Sequence, residues 1–142
     1  MLNTKEEILN FINQNPICFV ATDDGGQPRV RGIMMYKADA NGIIISTAKN
    51  KDFYLQLKAN PKTELCFYHE KIQIRITGTA TDIDENLELK KEIVASRPFL
   101  QPMIDYKGYD FMGLVCINNC IATVWDFDSP FSRKRFIKLF DV

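Results

Sequence analysis

The sequence has little of what marks several common classes of protein. Its 18 basic and 18 acidic side chains cancel, and a chain without net charge has no general attraction to nucleic acid or anionic membranes. No apolar run reaches the roughly 20 residues of a membrane-spanning helix. The first residues lack the basic and apolar regions of a secretory signal peptide. We therefore expect a soluble, cytoplasmic protein with neither a nucleic-acid nor a membrane partner, so that any positive site must be local.

Metal-ligating side chains are also few and scattered. His69 is the only histidine. The four cysteines, Cys18, Cys66, Cys116 and Cys120, lie in apolar, strand-like segments, and their spacings match no zinc motif. Cysteine in such surroundings behaves as a small buried hydrophobe, and cytosolic thiols stay reduced. We expect four free thiols and no metal site.

Recognisable catalytic motifs are missing as well. The sequence contains no catalytic triad, nucleophile elbow or paired-carboxylate motif, and no dinucleotide-binding glycine fingerprint. This pattern is consistent with a protein whose cofactor carries the chemistry, since the chain then only binds and orients that cofactor. No catalytic acid or base can be named from the sequence.

The pattern of apolar residues predicts a mainly β (α+β) fold. A chain of 142 residues is the size of one domain, here residues 1–142. Six or seven strands with local hairpins, and helices at the edges, favour an antiparallel barrel with peripheral helices. The strand from Ile72 to Asp82 alternates buried-type isoleucines with Gln73, Arg75 and Thr77, which indicates one buried and one polar face. The asparagines at 118–119 mark either a two-residue hairpin or a bulge in one bent strand.

Capping signals predict where the helices begin. Thr4 and Glu7 fit a capping box that opens the first helix. Asn50 is the expected cap of a helix that buries Phe53, Tyr54 and Leu57. Asp84 is the expected cap of a third helix, which Arg97-Pro98 ends or kinks; residues 99–103 suggest a short helical turn and residues 105–110 a loop.

Residues 28–60 concentrate side chains suited to binding an anion. Two strands joined by a hairpin at residues 39–42 lead into a helix that stops before Pro61. Residues two apart on a strand share a face, a guanidinium matches phosphate bidentately, and a helix N-terminus attracts anions. The arginines of the first strand, the hydroxyls ending the second and the lysines at the helix start form a candidate phosphate pocket: Arg29, Arg31, Ser46, Thr47, Lys49 and Lys51. From the residues alone, a solvated strand face and an ordinary helix start remain open as alternatives.

Four segments, in this order, resemble one known family. Residues 28–31 read Pro-Arg-Val-Arg, residues 45–51 Ile-Ser-Thr-Ala-Lys-Asn-Lys, residues 58–65 Lys-Ala-Asn-Pro-Lys-Thr-Glu-Leu, and residues 73–78 Gln-Ile-Arg-Ile-Thr-Gly. They are similar to the flavin-binding split barrels related to pyridoxamine 5′-phosphate oxidase, over most of the chain. The resemblance implies an antiparallel split β-barrel and a homodimer with FMN in grooves between subunits. It also favours the bent strand at residues 118–119.

The resemblance assigns roles to individual residues. It implies that Arg31, more than Arg29, holds the FMN phosphate, and it leaves open which of Lys49 and Lys51 assists. It further implies that the flavin ring is lined by Ile33 and Met34 beside Gly32, reached from the second subunit by Gln73, and flanked by Trp125. Without the resemblance, Gln73 is as easily an exposed strand residue, and a lone tryptophan is more often part of a core.

The function implied is that of an FMN-dependent oxidoreductase acting on an unidentified small organic molecule. Pyridoxamine phosphate oxidase activity itself is not expected, because residues 129–142 lack that enzyme's C-terminal arginine and histidine motif. The closer resemblance is to small relatives, some associated with nitroimidazole reduction or resistance. A flavin- or haem-binding carrier or sensor stays open as the alternative, although haem needs an axial ligand and the chain has one histidine. Deazaflavin as the ligand, a purely structural role, and the purpose of the basic residues 133–135 also stay open.

Overall fold

The computed structural model describes residues 2–140, which form eight strands and four α-helices. The helices are α1 (Lys5–Gln14), α2 (Asp52–Ala59), α3 (Leu87–Ser96) and α4 (Gln101–Lys107). The strands are β1 (Ile17–Asp24), β2 (Gln27–Met34), β3 (Lys37–Asp39), β4 (Gly42–Ala48), β5 (Lys62–His69), β6 (Ile72–Asp82), β7 (Met112–Asp126) and β8 (Phe136–Lys138). Short 3₁₀ turns cover Pro98–Leu100 and Tyr109–Phe111.

All strands belong to one antiparallel sheet in the order β2-β1-β5-β6-β7-β4-β3, with β8 paired to β7. The two edge strands, β2 and β3, follow each other in the chain with only Met35 and Tyr36 between them. The Met35 amide donates to the Pro16 carbonyl and the Tyr36 amide to the Ile44 carbonyl, each over 2.9 Å. The sheet therefore curls until its edges meet at this connector, but the strand ladder is not closed. This split barrel confirms the predicted fold class.

Apolar side chains from the strands and α1 fill the inside of the curled sheet. Ile74 and Ile76 of β6 are fully buried, whereas Gln73 and Arg75 face the other side, as the alternation predicted. A second apolar cluster packs α3 and α4 against the opposite faces of β4 and β7. Burial of these side chains, at about 25 cal/mol per Å² of apolar surface, is the main favourable contribution to folding.

The asparagines at 118–119 lie within one continuous strand, β7, which confirms the bent-strand alternative. Asn119 takes a positive φ of 54°, and the register with β6 shifts between Thr77 and Thr79. The bulge lies on β7, where Asn119 and Cys120 stand opposite the single β6 residue Gly78. A Cβ there would lie 2.5 Å from Ile117 Cγ2 and 3.0 Å from Cys120 Sγ, so the close approach of the two strands requires glycine.

The helix starts agree with the sequence at one position and differ at two. The Thr4 hydroxyl accepts the Glu7 amide at 3.1 Å and donates to the Glu7 carboxylate at 2.9 Å, so Thr4 is confirmed as the cap of α1, although Glu7 reaches back to the hydroxyl and not to the Thr4 amide. The cap of α2 is Lys51 rather than Asn50, without a side-chain bond. The cap of α3 is Asn86 rather than Asp84, because Asp84 is occupied elsewhere.

Two further local expectations need correction. The single strand predicted before the hairpin at residues 39–42 breaks into β2 and β3, because the connector between them closes the split. Residues 105–107, expected in a loop, belong to α4. The short strand β8 was not expected. None of the helices formed by residues 2–140 combines the length and the hydropathy needed to cross a membrane.

Candidate functional site

Arg31 lies where β2 passes over α2, and its guanidinium is fixed by neighbouring polar groups. One terminal nitrogen, Nη1, donates to the Thr22 hydroxyl (2.8 Å) and to the Val20 carbonyl (3.3 Å). The other, Nη2, donates to the Gln56 side-chain oxygen at 2.7 Å. The Phe53 ring lies beneath the guanidinium, with its centroid 5.0 Å from Cζ. Together these contacts hold the half-buried cation in one orientation.

The same geometry leaves part of the Arg31 guanidinium open. A guanidinium has five N–H donors, and the three bonds above leave the Nε–H and one Nη2–H without a hydrogen-bond partner among residues 2–140. Burial lowers the pKa of Arg31 and the nearby Asp52 carboxylate opposes that shift, but arginine stays charged in proteins. Arg31 thus presents a preorganised cation with two free donors.

Arg29 shares the strand face of Arg31 but is engaged differently. Its Nε lies 3.2 Å from Asp24 Oδ2, and both side chains are about half exposed. An exposed pair of this kind contributes little to stability. The solvated-face alternative therefore describes Arg29, and the prediction that Arg31 is the more important of the two remains a prediction.

The end of β4 brings the two hydroxyls and the two lysines near the start of α2. Ser46 and Thr47 are half-buried, opposite Leu114 and Gly113 of β7. Lys51 is exposed at the cap position of α2, and its ammonium forms neither a hydrogen bond nor an ion pair within the described part of the chain. The structure thus leaves Lys51 available to an anion.

Lys49, in contrast, belongs to an internal polar cluster. Its Nζ lies 3.8 Å from Asp84 Oδ2, on a carboxylate that is only 12% exposed. The other oxygen of Asp84 accepts the Leu114 amide at 2.7 Å, and the Tyr54 hydroxyl also donates to this carboxylate. Burial, followed by this bond, raises the pKa of Tyr54. The cluster ties α2 to β7, which gives Lys49 a structural role.

The remaining predicted residues lie on other surfaces of the sheet. Ile33 packs against the core opposite Cys18 rather than facing an open groove. Met34 points outward, as do Gln73 and Trp125, which are register partners on β6 and β7. The registers place Gln73 in the same row as Met34, three strands away, or about 14 Å at the usual strand spacing. One chain thus presents its predicted site residues on two different faces.

The outward face of the sheet is unusually apolar. It runs across β2, β1, β5, β6, β7 and β8, and a row of large side chains is exposed along it: Ile17, Phe19, Val30, Met34, Tyr68, Ile121, Trp125 and Phe136. Contiguous exposed apolar patches on soluble proteins mark interaction surfaces. Residues 17–21 read Ile-Cys-Phe-Val-Ala, apolar at every position, which indicates that both faces of β1 are apolar, and the fold leaves Ile17 and Phe19 exposed on the outer one.

No group of three or more histidine, cysteine or acidic side chains within residues 2–140 is placed to hold a metal ion. The four cysteines are free thiols. Thr22 and Gln56, which orient Arg31, are functional neighbours that the sequence did not reveal. They lie 9 and 25 residues away along the chain, and no local pattern connects them to β2.

The curled antiparallel sheet, with a preorganised cation beside α2 and a broad apolar outer face, defines a split β-barrel with a candidate anion-binding site. The chain belongs to the pyridoxamine 5′-phosphate oxidase family, whose profile matches residues 4–107. A pyridoxine/pyridoxamine 5′-phosphate oxidase of Rhodopseudomonas palustris is 32% identical over 73 residues, which are 50% of this chain and 34% of that protein. The chain therefore spans about a third of the length of this curated relative.

Solved structures agree on the fold. A NimC/NimA family protein from Clostridium acetobutylicum has a TM-score of 0.74 at 23% identity, covering 93% of this chain and 90% of the other. A protein of the same organism related to general stress protein 26 reaches 0.72 at 17% identity, covering 95% and 94%. The haem storage protein HutZ from Vibrio cholerae, at 0.59 and 14% identity over 82% and 89%, has the same architecture. At these identities the likeness extends to the fold alone.

Proposed function

We propose that this protein is an FMN-binding oxidoreductase that works as a homodimer on a small organic molecule. The observation that carries the proposal is the Arg31 guanidinium, which Thr22, Gln56 and Phe53 hold in place while two of its donors stay open. A fixed guanidinium edge is the geometry that a phosphate monoester accepts bidentately. Family membership supplies the reason to assign that phosphate to FMN.

Residues around the start of α2 supply further groups that suit a phosphate. Lys51 adds an unpaired ammonium at the N-terminus of α2, where the helix dipole also favours an anion. The hydroxyls of Ser46 and Thr47 stand at the end of β4, shortly before α2, and provide further donors. In this arrangement Arg31 and Lys51 neutralise the phosphate, and the hydroxyls fix its orientation.

The flavin ring requires contributions from a second subunit. Met34, Gln73 and Trp125 point away from the Arg31 pocket on the apolar outer face. Association of two chains through this face would bury its apolar side chains and bring Gln73 and Trp125 of one chain toward the ring held by the other. Such an interface also removes the energetic cost of exposing so much apolar surface.

Bound FMN supplies hydride or electron transfer, and the chain binds, orients and shields it. The apolar outer face would exclude water from the ring, which limits side reactions. The substrate is proposed as a small molecule that enters beside the ring. We propose a cytoplasmic location, because free thiols such as the four cysteines persist in a reducing compartment.

The alternative is a carrier or sensor that binds a flavin or haem without turnover. It is supported by the shared fold of the haem storage protein HutZ and of an FAD-binding protein from Mesorhizobium loti, which has a TM-score of 0.60 at 14% identity over 85% of this chain and 94% of that one. Against haem, the imidazole of His69 is half exposed at the end of β5, where its Nε2 lies 3.7 Å from Glu70. It lines none of the five main pockets formed by the described residues, so we favour the flavin.

Replacing Arg31 and Lys51 together tests the proposal. The R31A/K51A double variant should lose FMN binding in a fluorescence titration, while urea denaturation still shows one cooperative transition. R29A is the matched control, since Arg29 lies on the same strand face but is paired with Asp24. Unchanged FMN affinity in R31A/K51A would remove the proposed phosphate site. Sedimentation tests the dimer, and a stable monomer that binds FMN tightly would contradict the role given to Gln73.

A further inference from the structure

A cleft beside α3 contains a buried lysine that the proposed flavin site does not use. The cleft has a volume of about 920 Å³ and lies between residues 82–90, at the end of β6 and the start of α3, and residues 109–110. Lys90, in the first half of α3, is only 3% exposed. The charged side chains of the lining are Lys49, Asp82, Asp84, Glu85, Lys90 and Asp110.

Lys90 is buried without an ion pair. Its Nζ donates one hydrogen bond, to the Tyr109 carbonyl at 2.9 Å. Among residues 2–140, no carboxylate lies close enough to this nitrogen to form a salt bridge, and its other N–H donors have no hydrogen-bond partner. An unpaired buried charge is costly, so burial favours the neutral amine of Lys90 over the ammonium.

The charges around Lys90 act on it in opposite directions. Burial, followed by the nearby ammonium of Lys49, lowers the pKa of Lys90. The carboxylates of Asp84, Asp110 and Asp82 oppose this shift but do not cancel it. A lysine that is desolvated and lies beside another cation presents more of the neutral amine, which is its nucleophilic form. Lys90 therefore has the surroundings of a reactive amine.

We propose that Lys90 captures a small uncharged aldehyde as an imine, an activity that does not depend on the flavin. The neutral Nζ adds to the carbonyl carbon to give a carbinolamine, which loses one water and leaves a C=N bond to Nζ, so neither an oxidant nor a reductant is needed. The hydrogen bond to Tyr109 engages an N–H and leaves the lone pair of the neutral amine free. Four acidic side chains against two lysines in the lining disfavour an anionic aldehyde.

Propanal is the probe, and sodium cyanoborohydride converts any imine into a stable propylamine. The protein as purified is labelled at pH 7 and digested, and mass spectrometry measures the labelling of each lysine over time. Lys91 is the internal reference, because it follows Lys90 on α3 but is exposed, and an exposed lysine is almost wholly protonated at this pH. We expect Lys90 to be labelled at least about tenfold faster than Lys91, since burial can change the neutral fraction of a lysine by more than that factor.

Two variants with opposite expected effects test whether the surrounding charges set this reactivity. K49M removes the cation that lowers the pKa of Lys90, so labelling of Lys90 should slow by at least about threefold. D110N removes a carboxylate that opposes the shift, so labelling should become faster. K90M should lose the rapidly labelled peptide and keep the slow labelling of Lys91. The comparison of Lys90 with Lys91 is made in the wild-type protein and does not depend on the folding of any variant.

Each other outcome overturns a specific statement. If Lys90 is labelled no faster than Lys91, or not at all, the imine site is refuted and Lys90 has only a structural role. If K49M and D110N label as the wild type does, the electrostatic explanation is wrong. Glyoxylate, an aldehyde that carries a carboxylate, should give a smaller ratio of Lys90 to Lys91 labelling than propanal, and a larger ratio would overturn the choice of an uncharged aldehyde. Rapid labelling of Lys90 in a protein that ignores FMN would refute the proposed function and leave the imine site standing.

Discussion

Replacing Gly78 with alanine tests the bulge that bends β7. A Cβ at this position would meet Ile117 Cγ2 at 2.5 Å, and the Asn118 carbonyl and Cys120 Sγ at 3.0 Å. One of these neighbours is backbone and the other two are core side chains, so none can move without disturbing the packing. Overpacking of this kind costs about 1–3 kcal/mol. We expect the free energy of unfolding of G78A to fall by about 3 kcal/mol, because three contacts are affected at once.

Gly32 provides the matched control. A Cβ there meets only the Phe19 ring, at 3.5 Å, which is an ordinary contact. Alanine at a position that tolerates it reduces the entropy of the unfolded chain and adds about 0.4–1 kcal/mol. Urea denaturation of both variants measures the difference, with equal slopes against urea as the check that the transition is unchanged. If G78A were as stable as G32A, the close approach of β6 and β7 would be wrong.

Three further predictions test the site and its surroundings. K51A should weaken FMN binding roughly tenfold without loss of stability. K49A should keep its FMN affinity, and its free energy of unfolding should fall by about 1 kcal/mol, because Asp84 loses a cation. The reverse result would assign the phosphate to Lys49 and the structural role to Lys51. Burial alone would raise the pKa of Asp82, but hydrogen bonds from Lys58 and from the Asp84 amide outweigh it and lower that pKa from 3.8 to about 2. The carboxylate thus contributes stability above its unfolded pKa, and this contribution is lost as the pH falls toward 2. In D82N, which keeps an oxygen acceptor, the free energy of unfolding should depend less on pH in this range. An unchanged pH dependence would count against the shift. Burial raises the pKa of Cys18 and Cys120 to about 12, so a thiol reagent at pH 8 should leave these two thiols unmodified in the folded protein and should modify all four cysteines in urea. Fast reaction of Cys18 or Cys120 in the folded state would contradict their burial.

Local patterns predicted those parts of the fold that depend on neighbouring residues. The alternation in β6 and the Thr4 cap of α1 need only nearby residues, and both are confirmed. The predicted cap of α3 is wrong because Asp84 and Asn86 both suit that role. A contact from β7 decides between them, since the Leu114 amide donates a hydrogen bond to the Asp84 carboxylate. Residue preferences for the cap position do not include such a tertiary hydrogen bond.

In the candidate site, too, local patterns predicted some features and tertiary contacts decide the others. Alternation placed Arg29 and Arg31 on one strand face, yet their different surroundings come from residues that are distant in sequence. Asp24 neutralises Arg29 across the β1–β2 hairpin, whereas Gln56 of α2 orients Arg31. The same applies to the lysines, since Asp84 engages Lys49 and leaves Lys51 open. Tertiary contacts thus discriminate between residues that the sequence could only list together.

The measurement that tests the central claim most directly is the visible absorption spectrum of the purified protein, recorded before and after FMN is added, with any released ligand identified by mass. Our account predicts flavin bands that sharpen and shift on saturable binding, with FMN as the released ligand. A Soret band would identify haem instead and favour the carrier alternative. A colourless protein whose spectrum ignores added FMN would contradict the account.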